Sequence, residues 1–218
     1  MEKGDDLRNH WRCRRAASQY KYALYIAVRD QEQSAALHML GVTYKMWGKL
    51  GLAERSLRKA LNLTVDPVGR GNVLRDLADT LSLHGDHRQA MIAADQSLSL
   101  LKNDPVARAS SLGFKGRLLQ RSGKIDEALT HYADAREQLN ALNAGAPELF
   151  NIIPYINALY EAGQDDVADS WLLPAMVLCN EYGAWVHRLR LKVLQRFGHR
   201  GDNVVQRLLP FRRFIPFL

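Results

Sequence analysis

The sequence predicts an all-α protein built from antiparallel helix pairs stacked on one another, and two repeating observations predict it. Gly48, Gly85, Gly123 and Gly163 recur at steps of 37, 38 and 40 residues. Before each lies an i, i+3, i+4, i+7 set of apolar or small residues: Leu37, Leu40, Gly41, Tyr44, then Leu74, Leu77, Ala78, Leu81. Looser versions follow in Leu112, Lys115, Gly116, Leu119 and in Ile152, Tyr155, Ile156, Leu159. After each glycine comes a small residue (Ala53, Ala90, Ala128, Ala168), then a mostly larger one (Leu57, Ala94, Tyr132, Leu172). A further small one closes each set (Ala60, Ser97, Ala135, Ala175). Such a helical hairpin cannot bury its own apolar stripe and stacks on copies of itself, and the small residues let neighbouring helices approach closely.

Taken in order, residues 1–33 form an N-terminal segment whose helix, about 7–29, carries Trp11, Ala16, Tyr20, Ala23, Leu24 and Ala27 at spacings of three to five. Ala16, Tyr20 and Ala23 repeat the second-helix pattern, so this reads as a capping half-repeat. Arg29-Asp30-Gln31-Glu32-Gln33 is the expected turn. Four repeats follow at about 34–67, 71–105, 109–145 and 149–182. The first places helices at about 34–47 and 50–63 and is closed by Asp66-Pro67, because the residue before proline leaves the helical region. Asn103-Asp104-Pro105 closes the second in the same way, and Asn143-Ala144-Gly145-Ala146-Pro147 is the exit from the third.

Pro154 and Pro174 fall inside the fourth repeat, where each would cost ~3 kcal/mol in a helix interior. Its first helix is therefore expected either to kink or to open near Pro154. Its second is expected to bend at Pro174 and continue towards Tyr182. After Gly183, Trp185, Val186, Leu189, Val193, Leu194 and Phe197 mark one face of an Arg-rich helix that would cap the stack. Phe211, Phe214, Ile215, Phe217 and Leu218 end the chain as an apolar tail, expected to fold back as part of that cap or to form an interface.

The pattern resembles the tetratricopeptide repeat (TPR) family, best in the first copy: Leu37-x2-Leu40-Gly41-x2-Tyr44, Ala53-x3-Leu57 and Pro67. The steps exceed the family's usual ~34 residues, so the turns carry extra length. The resemblance covers roughly residues 34–182 and implies a right-handed superhelical solenoid.

Composition bounds the function. The 218 residues are 47% hydrophobic, ample for a packed domain, and no run of eighteen apolar residues occurs. The N-terminus is charged where a signal peptide would be apolar, so a cytoplasmic protein is expected. Cys13 and Cys179 lie at opposite ends of the chain and suggest neither a disulfide framework nor a metal site. The net charge of +7 sits entirely in residues 183–218, where eight basic residues face Asp202 alone. The repeats are neutral as a set, which argues against nucleic acid as their partner and leaves a membrane surface as an alternative for the tail.

Catalytic motifs are missing: there is no HExxH, no GxSxG, and Gly116-x6-Gly123-Lys124 has the wrong spacing for a phosphate loop. His84-Gly85-Asp86-His87 falls where two helices turn, and Asp165-Asp166 suits the first turn of a helix. No enzyme, cofactor or metal is expected.

The resemblance does single out an inner face, because in that family the first helix of each repeat lines a concave groove. Carried over by position, the first repeat supplies His38 and Lys45 with Ala35, Val42 and Met46. The second supplies Asn72, Arg75 and Asp79 with Ser82 and Leu83. Arg117, Gln120 and Arg121 come from the third with Ser110 and Gly113, and Asn157 and Tyr160 from the fourth with Phe150, Ile153 and Glu161. Arginine forks suit carboxylates and asparagine amides suit a peptide backbone, so an acidic segment over a strip of Arg75, Arg117 and Arg121 is expected. Some members hold a C-terminal Glu-Glu-Val-Asp with Lys and Asn at places occupied here by His38 and Val42, which argues against that role. The function implied is a non-enzymatic module that binds a protein or peptide segment. The alternatives are a peptide-sensing regulatory unit related to bacterial TPR pheromone receptors, and a polyanion or membrane-surface binder acting through residues 183–218.

Overall fold

The structure, a computed structural model, describes residues 13–183 and Leu191. These residues are helix and turn, with no strand among them, and they fall into two compact units, one up to Asn103 and one from Asp104. The expected capping helix and apolar tail after Gly183 lie outside the described residues, Leu191 excepted.

The first unit contains α1 (Cys13–Ile26), α2 (Asp30–Met46), α3 (Leu50–Leu63), α4 (Pro67–His84) and α5 (His87–Leu100). Each packs on its neighbours in sequence, and α2 also touches α4. α1 lays Ala16, Ala17 and Tyr20 against a cluster with Leu40 and Tyr44 of α2 and Ala53 of α3. The recurring small-large-small residues form the core: Ala53, Leu57, Ala60 and Ala90 are fully buried. Ser97 is also fully buried, and its hydroxyl donates to the Gly71 carbonyl at 2.8 Å. Gly41 is where α2 and α3 come closest, since a Cβ there would stand 2.6 Å from Leu57 Cγ.

The turns within pairs share one geometry. Gly48 and Gly85 adopt φ of 73° and 95°, which L side chains avoid, and the next residue's N–H reaches back to Tyr44 (2.9 Å) or Leu81 (2.9 Å). This capping bond satisfies a helix-end carbonyl and reverses the chain, which makes consecutive helices antiparallel.

Helix starts differ from the sequence expectation. Asp66 caps the beginning of α4, its carboxylate accepting from Gly69 N–H at 2.6 Å, with Pro67 in the first turn. Proline loses nothing at that position, because its missing N–H would have had no helical partner. The expected turn at Arg29–Gln33 is the first turn of α2 instead. There Glu32 accepts the backbone N–H groups of Val28 and Arg29 at 3.3 and 3.4 Å and an Arg29 guanidinium bond at 2.9 Å. Asp30 and Glu32 also complement the helix dipole at that end.

The second unit contains α6 (Pro105–Arg121), α7 (Ile125–Ala141), α8 (Gly145–Glu161) and α9 (Asp165–Glu181), with α6 also touching α8. Asp104 and Pro105 open α6 as Asp66 and Pro67 open α4, with Ala107 N–H 2.9 Å from the Asp104 carboxylate. Gly123 and Gly163 repeat the turn geometry with φ of 77° and 72°. α8 begins at Gly145, not near Pro154, and runs through that proline, as α9 runs through Pro174. The carbonyls that lose their i+4 donors belong to Phe150 and Ser170, both exposed, so water can take the place of the missing N–H. Packing supports the continuation: Leu149, Ile152, Ile156, Leu159, Ala168, Leu172, Ala175 and Cys179 form one buried cluster, which Leu191 joins.

Candidate peptide-binding faces of the first helices

In the first unit the predicted face-lining residues are tied together across α2 and α4. Lys45 Nζ lies 3.0 Å from Asp76 Oδ1 and 2.8 Å from Asp79 Oδ2, while His38 Nε2 lies 2.9 Å from Asp76 Oδ2. Burial opposes the charge on Lys45, but Asp79 and then Asp76 overcome it and raise its affinity for the proton. Burial likewise opposes the Asp76 carboxylate, yet Lys45, His38 and Arg75 hold it well below the usual carboxylate range. Lys45 and Asp79 are buried, whereas His38, Asn72, Arg75 and Asp76 keep partial exposure. Further along α4 the Ser82 hydroxyl is buried without a hydrogen-bond partner.

Sequence reasoning missed Asp76. It lies one position beyond Arg75 and outside the family's groove positions, and its role arises from a contact between helices 31 residues apart from Lys45.

In the second unit, Arg117 packs its guanidinium 4.8 Å over the Phe114 ring, and Arg121 is exposed one turn later on α6. The Gln120 side-chain carbonyl accepts from Tyr132 O–H at 2.8 Å, which turns it towards α7. On α8, Tyr160 is buried and donates its hydroxyl to Asp169 of α9. Burial and then that hydrogen bond push the phenol pKa upward, so it stays protonated as a donor. Asn157 is only 7% exposed, and its Oδ1 is buried without a hydrogen-bond partner. Ile153 is buried and Phe150 is half exposed. Gly113 gives α8 room, because a Cβ there would collide with Asn151 Oδ1.

The motifs weighed for chemistry have structural surroundings. His84 Nδ1 lies 3.4 Å from Glu54 Oε2, and His87 is exposed at the start of α5. Asp165 and Asp166 occupy the first turn of α9. Among the described residues there is no group of three His, Cys, Asp or Glu that could hold a metal ion, and no helix long and apolar enough to cross a membrane.

No protein-family model matches the chain. It is 28% identical over 142 residues to the photosystem I assembly protein Ycf3 of Synechococcus elongatus, covering 64% of this chain and 81% of that protein. Among solved structures it is similar to a Rap protein complexed with competence and sporulation factor, with a TM-score of 0.86 at 14% identity. That match covers 98% of this chain and 63% of the Rap protein. Aspartyl phosphate phosphatase F from Bacillus subtilis gives a TM-score of 0.76 at 13% identity, covering 98% of this chain and 58% of that one. The chain thus spans less than two thirds of the length of these two proteins. The nearly identical TPR-like repeats of a kinesin light chain from Podosopora anserina give 0.62 at 16% identity, covering 84% and 94%. At such identities the shared property is the fold: with the glycine turns and the buried small-residue pattern, the chain has a tetratricopeptide-like repeat fold.

Proposed function

We propose that the chain is a non-catalytic interaction module that holds a protein or peptide segment against first helices of its pairs, on α2 and α4 of one unit or on α6 and α8 of the other. The observation that carries this reading is that two of the buried side-chain atoms without a hydrogen-bond partner, Ser82 Oγ on α4 and Asn157 Oδ1 on α8, lie on first helices. Both sit at positions that the repeat pattern assigns to the inner face. A buried polar group left unpaired costs about 1–3 kcal/mol, which a ligand that pairs it returns. An extended peptide suits Asn157 Oδ1, because its backbone N–H groups are not used up in a helix.

In the first unit Asn72 would meet ligand backbone; in the second, Arg117 and Arg121 would meet a ligand carboxylate and Phe150 an apolar side chain. Two relatives lend support: the Rap protein was solved with a bound factor, and Ycf3 is named for assembling photosystem I. Affinity capture with the intact chain tests the reading, repeated with Asn157→Ala and with Arg117→Glu/Arg121→Glu. A partner held by the parent and lost by the variants at unchanged melting temperature supports it. Retention by every variant overturns it.

A second reading, a peptide-sensing regulatory unit, draws on the Rap complex, whose fold covers 98% of this chain. Saturable binding of a short linear peptide with no protein partner present would favour it over an assembly role.

A further inference from the structure

Lys45 and His38 look in sequence like cations offered to a ligand, but both are answered by carboxylates of the neighbouring helix. Lys45 and Asp79 are 5% and 6% exposed in their side chains and already paired with each other at 2.8 Å, so neither charge is offered to a peptide. What remains at the surface is the Asp76 carboxylate, 18% exposed, with His38 at 21% beside it. A carboxylate has about four acceptor positions, and Asp76 uses one on Lys45 and one on His38, leaving capacity for further donors. The fixed charges around it balance, with Lys45 and Arg75 against Asp76 and Asp79, and His38 adds a positive charge only when protonated.

We propose that Asp76 is a specificity-determining residue: it excludes acidic ligand segments from the α2–α4 face and admits a neutral or cationic one, whose N–H groups its carboxylate accepts. The inference rests on the inner-face reading and narrows it for the α2–α4 face of the first unit. The carboxylate keeps its charge at neutral pH because Lys45, His38 and Arg75 hold it below the usual range. A donor brought to Asp76 adds to a network already formed, whereas a ligand carboxylate would have to displace Asp76 from Lys45.

The test is fluorescence anisotropy on the full chain with two labelled peptides of equal length, one alternating Ala and Glu, the other alternating Ala and Lys. Asp76→Asn keeps the shape and removes the charge, while Lys45 retains Asp79. It should raise affinity for the Glu peptide and lower it for the Lys peptide, changing their ratio roughly three- to ten-fold, the scale of one partly screened charge. Asp76→Glu should restore the parent ratio. If Asp76→Asn fails to fold, Lys45→Met/Asp79→Leu decides: net charge is unchanged, but the cation 3.0 Å from Asp76 is gone, which should tilt the ratio further towards the Lys peptide. An unchanged ratio in the folded variant, or no binding of either peptide by the parent, overturns the inference. Asn72→Ala, on α4 of the same unit, separates this from the wider reading: if it weakens both peptides while Asp76→Asn leaves the ratio alone, only the role of Asp76 fails. If Asn72→Ala changes neither affinity, the inner-face reading fails for this unit.

Discussion

Lys45 and Asp79 form an ion pair 2.8 Å long with side chains 5% and 6% exposed, joining the first helices of two consecutive pairs. Removing one partner strands a buried charge, so Lys45→Met is expected to destabilise the first unit by about 3–5 kcal/mol. Lys45→Met/Asp79→Leu should recover much of that loss, since apolar packing often replaces a buried ion pair without net cost. Denaturant unfolding of the parent, the single and the double variant measures both effects, and a double variant no better than the single one contradicts the account.

The same network sets a pH dependence. Asp76 is held well below its usual range in the folded state, so the unfolded chain binds its proton more readily. The resulting stability is present above the unfolded carboxylate pKa of about 3.9 and is lost as pH falls through the folded value. Thermal melts between acidic and neutral pH should show midpoints rising with pH at the acidic end. Asp76→Asn should flatten that rise, and an unaltered slope would remove Asp76 as its source.

Three glycines are expected to respond differently to alanine. Gly85→Ala places a Cβ on a backbone with φ of 95° and should cost about 1–2 kcal/mol. Gly41→Ala drives a Cβ to 2.6 Å from Leu57 Cγ and should cost about 1–3 kcal/mol through overpacking. Gly51→Ala meets no atom within 4 Å in the first turn of α3 and should stabilise by about 0.4–1 kcal/mol. Melting temperatures of the three variants check both the signs and the order.

Asp66 and Asp104 each cap a helix whose next residue is proline. Asp66→Ala and Asp104→Ala are each expected to cost about 1 kcal/mol, while Asp→Ser at the same sites should cost little, because serine also accepts the capping N–H. Thermal unfolding of the four variants distinguishes a cap from a merely exposed acidic residue, which would show no difference between alanine and serine.

Helix pairing, the glycines between paired helices and the buried Ala53, Leu57, Ala60 pattern were legible in the chain itself, because local periodicity is written in residues three to five apart. Short-range chemistry also shows where the reading reversed: Asp66-Pro67 carries the same letters whether it ends one helix or starts the next, and only the bond to Gly69 N–H decides. The uninterrupted course of α8 through Pro154 came from burial of Leu149, Ile152 and Ile156, a cooperative gain that outweighs one lost hydrogen bond and that no window of sequence displays. Among the face residues, the sequence placed Asn157 and Lys45 on first helices but not their states. One carries a buried oxygen without a partner, and the other is held by carboxylates on a helix more than thirty residues away. Local order follows from neighbours along the chain, whereas burial and charge pairing are set by helices that meet only after the chain has folded, so tertiary structure alone decided which polar groups are paired and which are not.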